Sequence, residues 1–300
     1  MSQWLFFALA ANVMYTGVTV FDQFLRKKHI ANSISATVLW LFLFFFVWLA
    51  IVPFIDISLP ALPQLAAGLT AGFLVVITTV IYFHALNEEE ASSIMPIWQF
   101  SSVFVLALSI AFLGEKLFSA HYAGFVLILV ASLFLSVHKT IKGLRVKRTA
   151  LLVLAASIVW AIRIVLEKYF FLTESFWNGL FWIPTGSFIG AIALLFIPKA
   201  FSGFRSELAS LVKTKQAMLV LAASTLLTFA ADLGSWKALQ LGPASLVSIA
   251  GATQLMFLFV LTVLLSRFFP TVLKERIDKK ALLTKFAAIS LMIIGLYLIS

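Results

Sequence analysis

The sequence predicts an all-α, polytopic membrane protein with ten transmembrane helices arranged as two inverted five-helix repeats. Three observations predict this fold class. Hydrophobic residues make up 62% of the chain and charged residues 11%, whereas soluble domains carry about 25% charged residues. Uncharged stretches of about 20 residues, the length that crosses the hydrocarbon core of a bilayer, recur along the chain. The second half also resembles the first, and no short alternating strands of a membrane barrel occur.

Charge clusters and prolines divide the chain into ten predicted spans. The first is interpreted as a retained span and not as a signal peptide, because Met1-Ser2-Gln3 lacks positive charge and the apolar run continues to Phe24. The spans are predicted at residues 3–24, 34–53, 64–85, 91–113, 117–137, 150–170, 176–197, 216–238, 243–266 and 282–299.

Two shifts align the halves of the chain. A shift of 145 residues places segment 15–25 on segment 160–170 and pairs Asp22 with Glu167. A shift of 153 places segment 84–92 on segment 237–245, with four identical residues. The repeats are therefore predicted at 1–143 and 144–300. Because five is odd, the second repeat enters the membrane from the opposite side, an architecture typical of secondary transporters that bind solute near the midplane.

The distribution of Lys and Arg predicts the orientation. Alternate loops, beginning with the first, hold 18 basic residues with their helix ends, against three (Lys116, Lys168 and Lys237) on the other side. The positive-inside rule then predicts a multi-pass protein of the plasma membrane with both termini outside. The net charge of +10 is assigned to contacts with lipid headgroups and not to nucleic acid, because the basic residues lie in short segments between apolar helices.

The sequence contains no signature of an enzyme. It has no cysteine and only four scattered histidines, and it lacks the HExxH, GxSxG and P-loop motifs. We therefore predict no catalytic residue, no metal site and no cofactor. Any transport would draw its energy from solute or ion gradients.

Polar residues form stripes at helical spacing in five predicted spans, so that each stripe occupies one helix face. These faces are predicted to meet at one wet cavity. The alternative is that individual Ser and Thr side chains only bond the backbone of their own helix or join neighbouring helices. The stripes are Asn12, Tyr15, Thr16, Thr19 and Gln23 in span 1; Thr78, Thr79 and Tyr82 in span 3; Ser92, Gln99 and Ser102 in span 4; Ser157, Trp160 and Arg163 in span 6; and Ser224, Thr225, Thr228, Asp232 and Trp236 in span 8.

Arg163 and Asp232 carry charges inside predicted spans, where a charge costs at least about 2.5–3.5 kcal/mol on insertion scales. One interpretation is a structural ion pair between spans 6 and 8. The other makes Arg163 an anchor for a carboxylate or phosphate, with Asp232 binding an amine or a coupling proton. The predicted substrate-binding residues are Asn12, Tyr15, Thr19, Tyr82, Trp98, Gln99, Trp160, Arg163, Asp232 and Trp236.

Other residues have secondary roles in this interpretation. Asp22 and Glu167 are candidate gates that pair with neighbouring basic residues, the alternative being charges that snorkel to the interface. Glu88-Glu89-Glu90 is predicted to be a solvated cap before span 4. Pro96 either frees a carbonyl for the cavity or only kinks the helix. The pairs Gly68/Gly72 and Gly186/Gly190 predict close helix packing.

The pattern resembles the drug/metabolite transporter (DMT) superfamily, specifically its ten-helix EamA-type members. The resemblance rests on Ala85-Leu86, Ala91-Ser92, Pro96 and Leu113-Gly114-Glu115; the second copy keeps Ala238-Leu239, Ala244-Ser245 and Leu273-Lys274-Glu275-Arg276 without the proline. It implies a solute carrier with a cavity lined by spans 1, 3, 4, 6, 8 and 9. It also implies cytoplasmic termini, which differs from the orientation that the basic residues predict.

The sequence therefore predicts a secondary transporter that is proton-coupled or exchanges a counter-substrate, and that moves or exports a small zwitterionic or amphiphilic metabolite such as an amino acid. Its predicted partners are the small-molecule substrate and the lipid bilayer, and it is a monomer or homodimer. One alternative is a flippase for a lipid-linked headgroup, which would need a lateral opening between helices. Another is a membrane scaffold that transports nothing.

Overall fold

The computed structural model describes residues 2–30, 32–89, 91–140, 148–268 and 279–300. These residues form an all-helical protein, with 87% of the chain in helices and no strand in the described part. Seven helices are long and apolar enough to cross a membrane, and three shorter apolar helices cover Phe100–Leu113, Ser119–Leu135 and Leu283–Ile299. The all-α prediction is confirmed, whereas the count of ten spans and their inverted arrangement stay predictions.

The helices of the first half begin close to the predicted positions. A 3₁₀ turn over Val52–Phe54 follows α2, and a π-helical turn over Ser109–Leu113 continues α5. The helices are α1 (Gln3–Lys28), α2 (Ser33–Leu49), α3 (Leu62–Glu88), α4 (Ala91–Trp98), α5 (Phe100–Leu108) and α6 (Ser119–Thr140).

The second half contains the remaining seven helical segments of the described residues. They are α7 (Arg148–Phe171), α8 (Phe176–Leu195), α9 (Pro198–Val212), α10 (Lys215–Leu241), α11 (Ala244–Ala250), α12 (Thr253–Phe268) and α13 (Lys279–Ile299).

Two of the predicted spans, 91–113 and 243–266, contain a short break in the helix that the sequence did not predict. The first stops at Trp98 and resumes at Phe100, and the second stops at Ala250 and resumes at Thr253. At the second break the side chain of Asn12 donates to the carbonyl of Ala250 at 2.9 Å and to Oγ1 of Thr253 at 3.1 Å. Side-chain donors that take up backbone carbonyls in this way compete with the helical hydrogen-bond ladder.

The segment after α8, predicted to be a loop, forms helix α9. Its inward residues Ala200, Phe204, Leu208 and Leu211 recur at helical spacing and pack against the apolar core. The carboxylate of Glu207 accepts a hydrogen bond from the backbone nitrogen of Asn32 at 2.8 Å. Since Asn32 is the N-cap of α2, α9 is fastened to the start of that helix. Fifteen residues of mixed polarity are too few for a span, which is why hydropathy alone missed this helix.

Helices α3 and α8 pack through the glycine pairs that the sequence singled out. A Cβ atom added at Gly72 would lie 1.9 Å from the carbonyl oxygen of Ile183, and one added at Gly186 would lie 2.2 Å from that of Leu69. Neither distance leaves room for a side chain, so the two backbones touch only because these residues are glycine. The prediction of close packing is confirmed.

The turn at Leu113-Gly114-Glu115 requires a glycine and positions the carboxylate of Glu115. Gly114 adopts φ +66°, a left-handed conformation that disfavours any residue with a Cβ. The turn directs Glu115 towards the start of α11, where its carboxylate accepts from the backbone nitrogen of Ala244 at 2.5 Å and from Oγ of Ser245 at 2.5 Å. A carboxylate at a helix N-terminus also stabilises the helix dipole.

Glu88 does not belong to a loop before α4, so that part of the Glu88-Glu89-Glu90 prediction is wrong. It is the last residue of α3, where it pairs with His84 at 3.5 Å and accepts a hydrogen bond from the hydroxyl of Thr149. Glu90 lies outside the described residues, as does the segment Leu273-Lys274-Glu275-Arg276.

Four helix contacts form the frame of the protein's interior. Helix α1 packs along α10, α3 along α7, α2 against α8, and α5 against α11. Helices α6 and α13 pack on each other at the side of this frame. Large apolar side chains such as Phe112, 75% exposed, and Tyr297, 80% exposed, cover the outer surface. An apolar exterior around a polar interior is the arrangement expected in a bilayer.

Candidate functional site

A cavity of about 240 Å³ lies between the framing helices. A single water needs only about 10–15 Å³ by a comparable measure, so the cavity can hold a small organic solute. All ten predicted substrate-binding residues line it: Asn12, Tyr15, Thr19, Tyr82, Trp98, Gln99, Trp160, Arg163, Asp232 and Trp236. The structure therefore brings them together, while their binding of a substrate stays a prediction.

More helices line the cavity than the resemblance implied. Helices from predicted spans 1, 3, 4, 6, 8 and 9 contribute, but α2 and α8 contribute as well. The residues of these two helices at the cavity are Trp40, Leu41, Phe44, Ile183 and Ser187. Sequence reasoning missed them because four of the five are apolar and the search followed polar stripes.

Arg163 forms an ion pair within its own helix. Its Nε donates to Oε1 of Glu167 at 2.7 Å, and the two side chains are 8% and 1% exposed. Its guanidinium lies 4.2 Å from the ring centroid of Trp160. A planar guanidinium can use its edge for a carboxylate while its face stacks on an aromatic ring.

Asp232 has a different partner from the one considered. No direct ion pair joins it to Arg163 among the described residues; instead the hydroxyl of Tyr15 donates to its Oδ1. The Asp232 side chain is buried, with 8% of its surface exposed, and it lines the cavity. The guanidinium of Arg163 and the carboxylate of Asp232 therefore have separate protein partners. This leaves the two opposite charges as distinct groups on one cavity wall.

Asp22 and Glu167 do not snorkel to the interface, so that alternative is wrong. Asp22 is 6% exposed, lines the cavity and accepts a hydrogen bond from Oγ of Ser224 at 3.0 Å. Glu167 does pair with a basic residue, as the gating interpretation required, but the partner is Arg163 of the cavity wall. Gating itself stays a prediction.

Arg26 follows Asp22 by one turn of α1. It donates to the carbonyls of Asn32 at 3.0 Å and Phe83 at 3.3 Å, and to Oγ of Ser33 at 3.1 Å. It also interacts electrostatically with Asp22 and Glu207. Arg26 does not line the cavity. Its guanidinium therefore lies outside the cavity, next to the end at which Asp22 lies.

Hydrogen bonds from cavity helices hold both helix breaks. Asn12 holds the break after α11, as described above. The hydroxyl of Ser157 lies 2.9 Å from the carbonyl of Val153 in its own helix and 3.3 Å from the carbonyl of Ile97, beside the break after α4. The broken helices also touch each other, since Oγ of Ser102 donates to the carbonyl of Ser248 at 3.0 Å.

Several hydroxyl groups of the polar stripes bond only their own helix, as the alternative interpretation expected. Thr225 and Thr228 donate to carbonyls four residues earlier, at 2.9 Å each. Thr78 likewise donates within α3, although it lines the cavity. These residues satisfy their hydroxyl groups locally and add little specificity.

An aromatic wall runs along the cavity. The rings of Tyr82 and Trp98 lie 6.2 Å apart, and those of Trp98 and Trp160 lie 5.3 Å apart. Arg163 follows on the far side of Trp160. Both ring pairs meet edge to face, and aromatic surfaces attract apolar chains and cationic groups.

Gln254 is a cavity residue that the sequence analysis missed. Its Nε2 donates to the carbonyl of Tyr15 at 3.1 Å and to Oγ1 of Thr19 at 2.9 Å. The signal was present, because Gln254 follows the second copy of the Ala-Ser motif at nearly the spacing of Gln99 from the first.

Comparisons with known proteins bear on the family and the fold. The model of the EamA-like transporter family matches residues 2–137, which confirms the resemblance to the DMT superfamily. No curated relative matches the sequence. One solved crystal structure of a protein superimposes with a TM-score of 0.68 at 15% identity, over 99% of this chain and 95% of that chain. At that identity the likeness shows a shared fold alone.

Proposed function

Since the EamA-like transporter family model matches residues 2–137, we propose that the chain is a secondary active transporter that moves a small metabolite across the membrane by alternating access. The solute is an amino acid or another small amphiphile. The single observation that carries this proposal is the cavity, in which a buried guanidinium and buried carboxylates face an enclosed space among apolar helices. Charges at that depth are costly unless they serve a solute or an ion.

We further propose that the chain consists of two inverted five-helix units, residues 1–143 and 144–300. The strongest support is the position of the helix breaks. A shift of 153 residues relates the first residues of α4 and α11, Ala91 and Ala244, and also those of α5 and α12, Phe100 and Thr253. The two interrupted helices therefore begin and resume at corresponding residues.

The hydrogen bonds at the breaks support the same arrangement. Asn12 and Ser157 correspond by the shift of 145, and the carbonyls they hold, those of Ala250 and Ile97, correspond by the shift of 153. Two contacts that involve four different helices thus correspond pairwise.

The helix contacts support it as well. In the two units α1 corresponds to α7, α2 to α8 and α3 to α10. The contact of α1 with α10 therefore corresponds to that of α7 with α3, and the contact of α3 with α8 to that of α10 with α2. The contacts of α2 with α8 and of α6 with α13 are their own counterparts. Such a pattern is expected of an internal two-fold axis in the membrane plane.

Within the cavity, Arg163 anchors the substrate carboxylate and Asp232 binds its ammonium group or a coupling proton. The ion pair with Glu167 uses Nε of Arg163, and the ordinary bidentate contact of a guanidinium with a carboxylate can use its other nitrogens. Asp232 receives one neutral hydroxyl donor from Tyr15. Opposite charges with separate protein partners suit a zwitterion.

The transport experiment begins with a thermal-shift screen of purified protein against amino acids, nucleosides, polyamines and lipid headgroups. Solutes that stabilise the protein are then tested for accelerated counterflow into proteoliposomes. Stabilisation and counterflow by one class of free solute would support the proposal. Stabilisation by lipid headgroups alone would favour a flippase, and absence of any stabilisation or flux would favour a scaffold.

We propose that both termini face outward in the plasma membrane, on the distribution of 18 basic residues against three. A protease-cleavable tag is placed at either terminus in intact cells. Removal of both tags by external protease is expected. Protection of both tags, with cleavage only after lysis, would contradict this orientation and agree with that common in the family.

A further inference from the structure

The cavity has a second anionic end that the proposed zwitterion does not use. Asp22 lines the cavity with 6% of its surface exposed, and its hydrogen bond comes from the neutral hydroxyl of Ser224. The Arg163 and Asp232 groups lie at the other end. Buried carboxylates at membrane depth are costly. Arg26 acts on Asp22 from outside the cavity, so the position of the Asp22 carboxylate on the cavity lining needs an explanation of its own.

Two independent paths give the separation of the two ends. Along α1, Tyr15, which bonds Asp232, precedes Asp22 by seven residues, or about 10 Å. Along α10, Ser224, which bonds Asp22, precedes Asp232 by eight residues, or about 12 Å. The carboxylates of Asp22 and Asp232 therefore stand about 10–12 Å apart along the helix axes.

The path between the two ends is aromatic. Tyr82, which lines the cavity together with Asp22, begins the wall that continues through Trp98 and Trp160 to Arg163. A methylene chain would pack against these rings, because most of their surface is apolar. A cationic group at either end would also be attracted by the ring faces.

The charges around the cavity are unequal. Of the charged side chains that line the cavity in the described part of the chain, Asp22 and Asp232 are carboxylates and Arg163 is a cation. The charge of Arg163 is also shared with Glu167, which forms an ion pair with it. The lining is therefore net negative, and a solute with two cationic groups would complement it better than one with a single charge.

From this geometry we infer that the cavity takes a linear solute with a distal ammonium group that binds Asp22, while its other end binds at Arg163 and Asp232. The inference rests on the proposed transport function and names its substrate class. The head end is either an α-amino acid group, which uses both Arg163 and Asp232, or a plain amine, which uses Asp232. In both cases the distal ammonium is the group that Asp22 selects.

Matched probes test this inference. Dissociation constants are measured by titration calorimetry for cadaverine and n-pentylamine, and for lysine and norleucine, where the members of each pair differ by the distal ammonium. We expect that ammonium to tighten binding at least about tenfold in one pair or both, the effect of one hydrogen bond to a charged group. The pair that shows the effect identifies the head group.

Variants assign the effect to Asp22. Asp22→Asn keeps an acceptor for Ser224 and is expected to bring the ratio of the two dissociation constants in a probe pair towards one. Asp22→Glu is expected to retain most of the wild-type ratio. Asp56→Asn, which removes an exposed carboxylate, is the control and leaves the ratio unchanged. A ratio near one in the wild-type protein, or a ratio that Asp22→Asn does not change, would overturn the inference. The wild-type ratios decide the matter even where a variant fails to purify.

The outcomes separate this inference from the function on which it rests. If norleucine or pentylamine is transported with the same affinity as its dibasic counterpart, the transporter proposal stands and the distal site is refuted. If none of the screened solutes binds or accelerates flux, the transporter proposal itself fails.

Discussion

The interrupted helices α4–α5 and α11–α12 correspond in position, but the cavity walls near them differ in chemistry. The same shifts that align the breaks pair Arg163 with Val18, Trp160 with Tyr15, and Asp232 with Thr79. One member of each charged pair is neutral. In the proposed two-fold arrangement, a symmetric backbone would therefore carry an asymmetric set of charges, and helix position and cavity chemistry would be separate properties of this sequence.

The largest expected effect tests the one-sided chemistry. We expect Arg163→Ala to abolish counterflow while the protein still inserts and purifies, because the cationic end of the site is lost. The control is Arg148→Ala, which removes an exposed arginine from the start of the same helix and should leave flux unchanged. Transport with wild-type kinetics in Arg163→Ala would discard the assignment.

Removal of Arg163 alone also leaves Glu167 unpaired in the interior, at a cost of about 3–5 kcal/mol. The double variant Arg163→Gln/Glu167→Gln removes both charges together, so it should recover most of the thermal stability. Flux should still be absent. Recovery of flux together with stability would show that the pair is structural only.

The second effect tests the close packing of α3 on α8. Gly186→Ala would place a Cβ atom 2.2 Å from the carbonyl oxygen of Leu69, and overpacking of this kind costs about 1–3 kcal/mol. We expect a lower melting temperature and a smaller monodisperse fraction on size-exclusion chromatography. Ala193→Leu, at an exposed position of the same helix, is the matched control. Equal behaviour of the two variants would contradict close packing of α3 and α8.

The smallest effect compares the two corresponding contacts at the breaks. Asn12 makes two hydrogen bonds across to α11 and α12, whereas Ser157 has one hydroxyl hydrogen for the carbonyls of Val153, at 2.9 Å in its own helix, and Ile97, at 3.3 Å. With about 1 kcal/mol for each hydrogen bond, Asn12→Ala should lower stability about twice as much as Ser157→Ala. Denaturation curves of the purified variants measure this. A larger loss for Ser157→Ala would break the correspondence.

Helix positions and the lining of the cavity could be predicted from the sequence because hydropathy and polar spacing are local properties. The stripe of Asn12, Tyr15 and Thr19, for example, fixes one helix face before any partner is known. All ten chosen residues consequently reached one cavity.

The partners of the charged residues could not be predicted in the same way. Whether Arg163 meets Asp232 of α10 or Glu167 of its own helix depends on the side-chain geometry of the packed helices. The helix breaks were also missed, since they arise from contacts between distant segments such as Asn12 and Ala250. Helix α9 was the exception: its apolar spacing was visible, but a search for long spans passed over it.

The contact of Glu115 with the start of α11 has a mechanical consequence. Glu115 belongs to residues 1–143, yet it holds Ala244 and Ser245 of the other half through three hydrogen bonds. If one half swings relative to the other, α11 either loses this clasp in every cycle or travels with the opposite half. In the second case, the units that move as rigid bodies in the transport cycle would not coincide with residues 1–143 and 144–300. A cross-link from Glu115 to α11 would then leave transport intact, whereas a cross-link between the two moving units would stop it.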